Sequence, residues 1–175
     1  MLTVIPRTLV FIRKFSLSTK CFEKKIVYTD GACYNNNKNK SRLAGYGIYW
    51  DENSDLNLSG PLPNPPATNN RAELFAVNVA IKQAIKEGIH DLKIRTDSEF
   101  VVKTFKYWIY KWKKNDWKRS NQQEVKNKEL IEEIDVARNS GINVAFEHIP
   151  RASHVGNSRA NVMAREGAKK YQFSD

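Results

Sequence analysis

Three carboxylates stand where a folded chain could bring them together: Asp30 in Tyr28-Thr29-Asp30-Gly31, Glu73 in Asn69-Asn70-Arg71-Ala72-Glu73-Leu74, and Asp97 in Thr96-Asp97-Ser98-Glu99. Each has an ordinary role open to it: Asp30 in a turn with Gly31, Glu73 as a charge favouring a helix start, Asp97 as an N-cap. Brought to one place, they offer a different chemistry. Hard oxygen ligands collect Mg²⁺, and two such ions about 4 Å apart can neutralise a phosphodiester together with its attacking and leaving oxygens. The acidic residues therefore point to metal-assisted phosphodiester hydrolysis, provided that strand ends and a helix start converge.

The surrounding pattern supplies such elements. Residues 26–33 read as a strand ending at an Asp-Gly turn signal, 43–50 as a second and 56–60 as a weaker third before a Pro-rich loop, which predicts an antiparallel meander. Residues 71–87 form a helix that is apolar on most sides, with Ala72, Phe75, Ala76, Val79 and Ala80 on one face and Leu74, Val77, Ile81 and Ile85 on another. A strand at 92–96, a helix at 98–105, a helix marked by Leu130, Ile131, Ile134 and Ala137, a strand at 142–149 and a closing helix complete an α/β order. With 175 residues and 41% hydrophobic content, the chain has material for one core and is short for two. Its net charge of +10 points to a polyanionic partner, a property shared by ribosomal, chromatin and membrane-surface proteins. Cys21 and Cys33 are too far apart for a CxxC site and support neither zinc nor a disulfide framework.

Taken in order, Thr29-Asp30-Gly31, the Asn69–Leu74 motif opening a buried helix, Thr96-Asp97-Ser98-Glu99-Phe100 at a strand end, and GNSRANVMAREGA at 156–168 resemble the motif series of type 1 ribonuclease H. The resemblance runs from about residue 25 to residue 171. It implies a ribonuclease H-like fold over residues 25–172, with a five-stranded mixed sheet (three antiparallel strands, then parallel ones) flanked by helices. It also implies an endonuclease that cuts only the RNA strand of RNA/DNA hybrids, leaving 5′-phosphate and 3′-hydroxyl ends. Asp30, Glu73 and Asp97 would then be catalytic ligands of two Mg²⁺ ions, with Mn²⁺ as a substitute, and Asp30 would lie between the ions.

Three positions depart from that pattern. Asn161 stands where the family has its fourth carboxylate; its amide oxygen can coordinate Mg²⁺ but brings no charge, so a weakened second metal site is expected. A weak or inactive hybrid-binding relative is the alternative. The family's mobile histidine would fall on Ala152, and His154, two residues on, becomes the candidate general acid or base. In the family's DNA-phosphate pocket Thr68 and Asn127 match, but Pro66 replaces the arginine, and Asn127 is equally a candidate N-cap.

Between Lys103 and Lys128 nine basic residues and two acidic ones alternate with Tyr107, Trp108, Tyr110, Trp112 and Trp117. This resembles the family's basic protrusion, with cations for phosphates and aromatic faces for sugars and bases. The resemblance assigns Thr68, Phe100, Trp108, Trp112, Lys113, Lys114, Ser120 and Asn127 to the DNA strand. It assigns Cys33, Asn35, Asn36, Asn69 and Asn70 to the RNA strand, where the 2′-hydroxyl distinguishes the substrate.

Residues 1–22 contain no acidic residue and carry Arg7, Arg13, Lys14 and Lys20 among apolar and hydroxyl residues. Residues 1–24 thus read as a mitochondrial presequence or a disordered basic tail, with a nuclear location as the alternative. A monomer with no membrane association and no separate hybrid-binding module ahead of the domain is expected.

Overall fold

Strand β1 (Lys25–Tyr34) is the central strand, and its alternation sets the site: Thr29 and Gly31 turn toward one face of the sheet, Asp30 toward the other. It pairs antiparallel with β2 (Leu43–Tyr49), which carries β3 (Leu58–Pro61) antiparallel in turn. On its other side it pairs parallel with β4 (Asp91–Thr96), followed by parallel β5 (Asn143–His148). The order β3-β2-β1-β4-β5 is the expected five-stranded mixed sheet. The computed structural model describes residues 23–34 and 42–170, so residues 1–22, Asn35 and Asn36 lie outside it.

The third strand starts two residues later than its sequence suggests. Asn57 is drawn into the preceding turn, accepting the Trp50 N–H at 2.8 Å and donating to the Asp51 carbonyl at 2.6 Å, so pairing begins only at Leu58.

Helix α1 (Asn69–Lys86) opens on Thr68, whose hydroxyl accepts the Arg71 N–H at 3.3 Å, and covers one face of the sheet with α4 (Lys128–Arg138) packed against it. Helix α5 (Val155–Lys169) crosses β1, β2 and β3 on the opposite face. Two glycines permit these close approaches. A Cβ on Gly31 would lie 2.3 Å from the Glu73 nitrogen, and one on Gly47 would lie 2.1 Å from the Ala160 carbonyl oxygen. Any larger residue would push the start of α1 or the middle of α5 away from Asp30.

The helix expected at 98–105 is longer and irregular. Helix α2 (Glu99–Lys103) passes through a π-helical turn at Thr104–Trp108 into α3 (Ile109–Lys114). Val101, Val102, Phe105 and Ile109 stay buried along it, and Phe105 stacks on Phe146 of β5 with ring centroids 4.9 Å apart. The π turn keeps this face on the core while carrying the charged face outward. Among the described residues no helix is long and apolar enough to cross a membrane.

Candidate active site

Four segments meet beside Asp30. Its carboxylate is 2% exposed; Oδ1 accepts the Gly31 N–H at 2.8 Å and Oδ2 accepts the Asn161 amide N–H at 2.5 Å. Glu73, one turn into α1, accepts from the Asn69 amide at 2.8 Å and from the Ser98 hydroxyl at 2.5 Å. Ser98 also caps α2 by accepting the Val101 N–H at 3.3 Å, so one hydroxyl ties the helix start to the acidic cluster. Asp97, just past β4, accepts from the Asn157 amide at 3.3 Å and faces the Arg151 guanidinium at 3.3 Å.

Burial pushes the Asp30 carboxyl up to about 6, and the Asp97 charge adds to it against the opposing Asn161 and Gly31 hydrogen bonds. Burial likewise raises Glu73 to about 7; the Ser98 hydrogen bond opposes this, while Asp30 and Asp97 reinforce it. Burial thus outweighs Arg151, the one nearby cation among the described residues, and leaves the carboxylates under-compensated, a condition typical of sites that receive a metal ion. Three carboxylates and an amide make a donor set of the hard-oxygen type that suits Mg²⁺.

The side chains as they stand are nevertheless committed to protein donors. Among the described residues no three His, Cys, Asp or Glu side chains surround one point at metal-binding spacing. Asn161 turns its NH₂ toward Asp30 and would have to present its carbonyl oxygen to serve as a ligand.

The other expected residues distribute unevenly. His154 stands at the N-cap of α5, its Nδ1 2.8 Å from the Ser153 hydroxyl and its ring centroid 6.2 Å from that of Tyr28; Ala152, at the usual histidine position, has φ 59°. Cys33 points its sulfur at the Ala67 carbonyl, 3.4 Å away. Phe100 lies 6.1 Å from Trp108, and Trp108 lies 5.8 Å from Trp112, forming one aromatic row across the π turn. A cavity of about 500 Å³ beside this row is bordered by Thr68, Asn69, Asn70 and Asn127. A second, of about 490 Å³, lies against Trp108, Trp112 and Ser120.

One reading needs correction and several residues were missed. Asn127 precedes α4 but does not cap it: it adopts φ 58°, makes no capping bond, and accepts instead from Arg71 Nη1 at 3.1 Å. Lys113 ion-pairs with buried Asp135, and both Lys113 and Lys114 are exposed. Lys111, Lys118 and Arg119 line the cavities that Lys113 does not. Lys111, three residues after Trp108, could have been found from helical spacing. Arg119 also reaches the cavity bordered by Thr68 and Asn127, beside the position expected to lack an arginine because of Pro66.

Comparison with known proteins gives a consistent pattern. The chain matches the RNase H family model over residues 23–170. It is 42% identical to Ribonuclease H1 of Mus musculus, with 85% of this chain and 51% of the mouse protein covered, so it spans about half the length of that relative. It is 36% identical to Ribonuclease H of Parvibaculum lavamentivorans over 83% of this chain and 92% of the bacterial protein. Its fold superposes on LC9-RNase H1, a type 1 RNase H with the type 2 active-site motif, with a TM-score of 0.67, 25% identity and coverage of 84% and 72%.

Proposed function

The chain belongs to the RNase H family, and from that premise we propose that it is an endonuclease hydrolysing the RNA strand of RNA/DNA hybrids to 5′-phosphate and 3′-hydroxyl ends. The observation that carries this reading is the clustering of Asp30, Glu73 and Asp97, with Asn161 bonded to Asp30, next to an aromatic cavity that Asn69 also borders. Asp30, Glu73, Asp97 and the Asn161 carbonyl would hold two Mg²⁺ ions, with Mn²⁺ able to replace them. When bound, these ions supply an activated water and charge neutralisation at the phosphate.

The chain's own residues position the substrate. Phe100, Trp108, Trp112, Lys114 and Ser120 would take the DNA strand, with Thr68 and Asn127 on one of its phosphates; Cys33, Asn35, Asn36, Asn69 and Asn70 would face the RNA. Asn69, already bonded to Glu73, links the RNA side to the carboxylates. His154 is the loop imidazole proposed to move a proton at the departing oxygen. We place the protein, as a monomer, in mitochondria on the strength of its acid-free first 22 residues. A reporter fused to residues 1–24 that stays nuclear or diffuse would reject that location.

The test is Mg²⁺-dependent cleavage of a labelled hybrid. Wild type should turn over, Asp97→Asn should lose about 10³-fold or more, and Asn161→Asp should reach half-maximal rate at lower Mg²⁺. A wild type that binds hybrid without cutting it would instead establish the non-catalytic alternative that Asn161 raises.

A further inference from the structure

Arg151 is the one cationic side chain within ion-pairing distance of the carboxylate cluster among the described residues. Its Nε stands 3.3 Å from Asp97 Oδ2, and its charge also acts on Asp30 and Glu73. The arginine side chain is 74% exposed while that of Asp97 is 11% exposed, so the guanidinium reaches into the cluster from solvent.

Its root is held where its tip is not. The residue follows Pro150, whose carbonyl accepts both the Ser153 N–H at 3.1 Å and the Ser153 hydroxyl at 2.6 Å, closing a tight turn over the left-handed Ala152. The closest approach to Asp97 is through Nε, and a guanidinium carries more N–H donors than one carboxylate engages. With the side chain 74% exposed, donors on its solvent side can meet a further anion.

We propose that Arg151 is a tethered counter-ion, paired with Asp97 in the metal-free protein and transferred to the scissile phosphate when a divalent cation takes its place. The inference rests on the hydrolytic reading above. Two cations cannot share Asp97 without strong repulsion at this range, and a displaced guanidinium matches the geometry of phosphate oxygens. During hydrolysis a water oxygen bonds to phosphorus and gives its proton to solvent. The P–O3′ bond breaks with its electron pair on the 3′-oxygen, which takes up a proton. Arg151 exchanges no proton; it stabilises the charge on the phosphate as these bonds change.

This role has two consequences of opposite sign, which a purely structural arginine would not produce. Removing the charge should strengthen metal binding and weaken turnover. The experiment titrates Mg²⁺ calorimetrically into nucleic-acid-free wild type, Arg151→Gln and Arg151→Lys, alongside steady-state hybrid cleavage. Arg151→Gln should bind Mg²⁺ about threefold tighter or more and lose about tenfold in kcat, with KM for hybrid within about twofold. Arg151→Lys should keep the wild-type Mg²⁺ affinity and an intermediate kcat, because an ammonium retains the charge without the fork. Unchanged Mg²⁺ affinity in Arg151→Gln, or a loss confined to KM, overturns the proposal. A wild type inert on hybrid would sink the hydrolytic reading, whereas the Mg²⁺ titrations would still decide whether Arg151 is the displaced ion.

Discussion

The carboxylate cluster and the basic stretch between α2 and α4 handle charge in opposite ways. Asp30 and Glu73 are 2% and 8% exposed, lie beside Asp97, and are pushed toward their protonated forms. The basic stretch spreads nine cations over residues 103–128, and Lys111, Lys114 and Lys118 remain exposed, with no ion pair to any of the described residues. One region buries negative charge that a small cation relieves; the other projects a field that attracts a polyanion and that salt screens. Damage to each should therefore have a distinct signature.

The largest effect on hybrid binding is expected in the exposed region. Replacing Lys111, Lys114 and Lys118 together by Ala should weaken hybrid binding about 10- to 100-fold and flatten the slope of log K against log salt by about 2 to 3. The rate at saturating hybrid should fall far less. An unchanged salt slope would show that these lysines only solvate a surface. Trp108→Ala comes next: with its ring set between Phe100 and Trp112, its loss should cost about 1–2 kcal/mol of hybrid binding and leave the salt slope intact. If affinity holds and thermal stability falls instead, the aromatic row is packing and not a track for the DNA strand.

How far each region was legible in the sequence follows the same division. Asp30 stands within the central strand, Asp97 just past a strand end, Glu73 near a helix start and Asn161 on a helix face, and local patterning fixes such positions well enough for motif spacing to single them out. The strand order could be read for the same reason. Arg151 and Arg119 were not legible, because their directions depend on turns built around left-handed Ala152, Asp116, Trp117 and Gln122, which no hydrophobic period encodes. The pairing of Lys113 was not legible for a related reason: its partner Asp135 lies 22 residues away on α4, and composition alone does not reveal such a pair. Asn127 likewise had the right residue type for a cap but was recruited by Arg71 of α1.

The smallest effect tests the tension within the cluster directly. Folding raises Asp30 to about 6 and Glu73 to about 7, against about 4 for such groups in an unfolded chain. The metal-free folded state therefore holds protons that the unfolded state has released, and its stability declines as pH rises through that window; a carboxylate with a depressed pKa would give the opposite slope. Glu73→Gln removes the charge while its amide oxygen can still accept from Ser98, whose hydroxyl lies 2.5 Å from the native carboxylate. In chelator at pH 8, urea unfolding should find the variant more stable than wild type by about 1–2 kcal/mol, with the difference vanishing near pH 4. Saturating Mg²⁺ should reverse the order, because only the wild type then gains the full binding energy of the ion. A variant less stable than wild type at pH 8 in chelator would mean that the Asn69 and Ser98 hydrogen bonds outweigh the buried charge. The cluster would then be an ordinary polar network, and its contrast with the basic stretch would lose its physical basis.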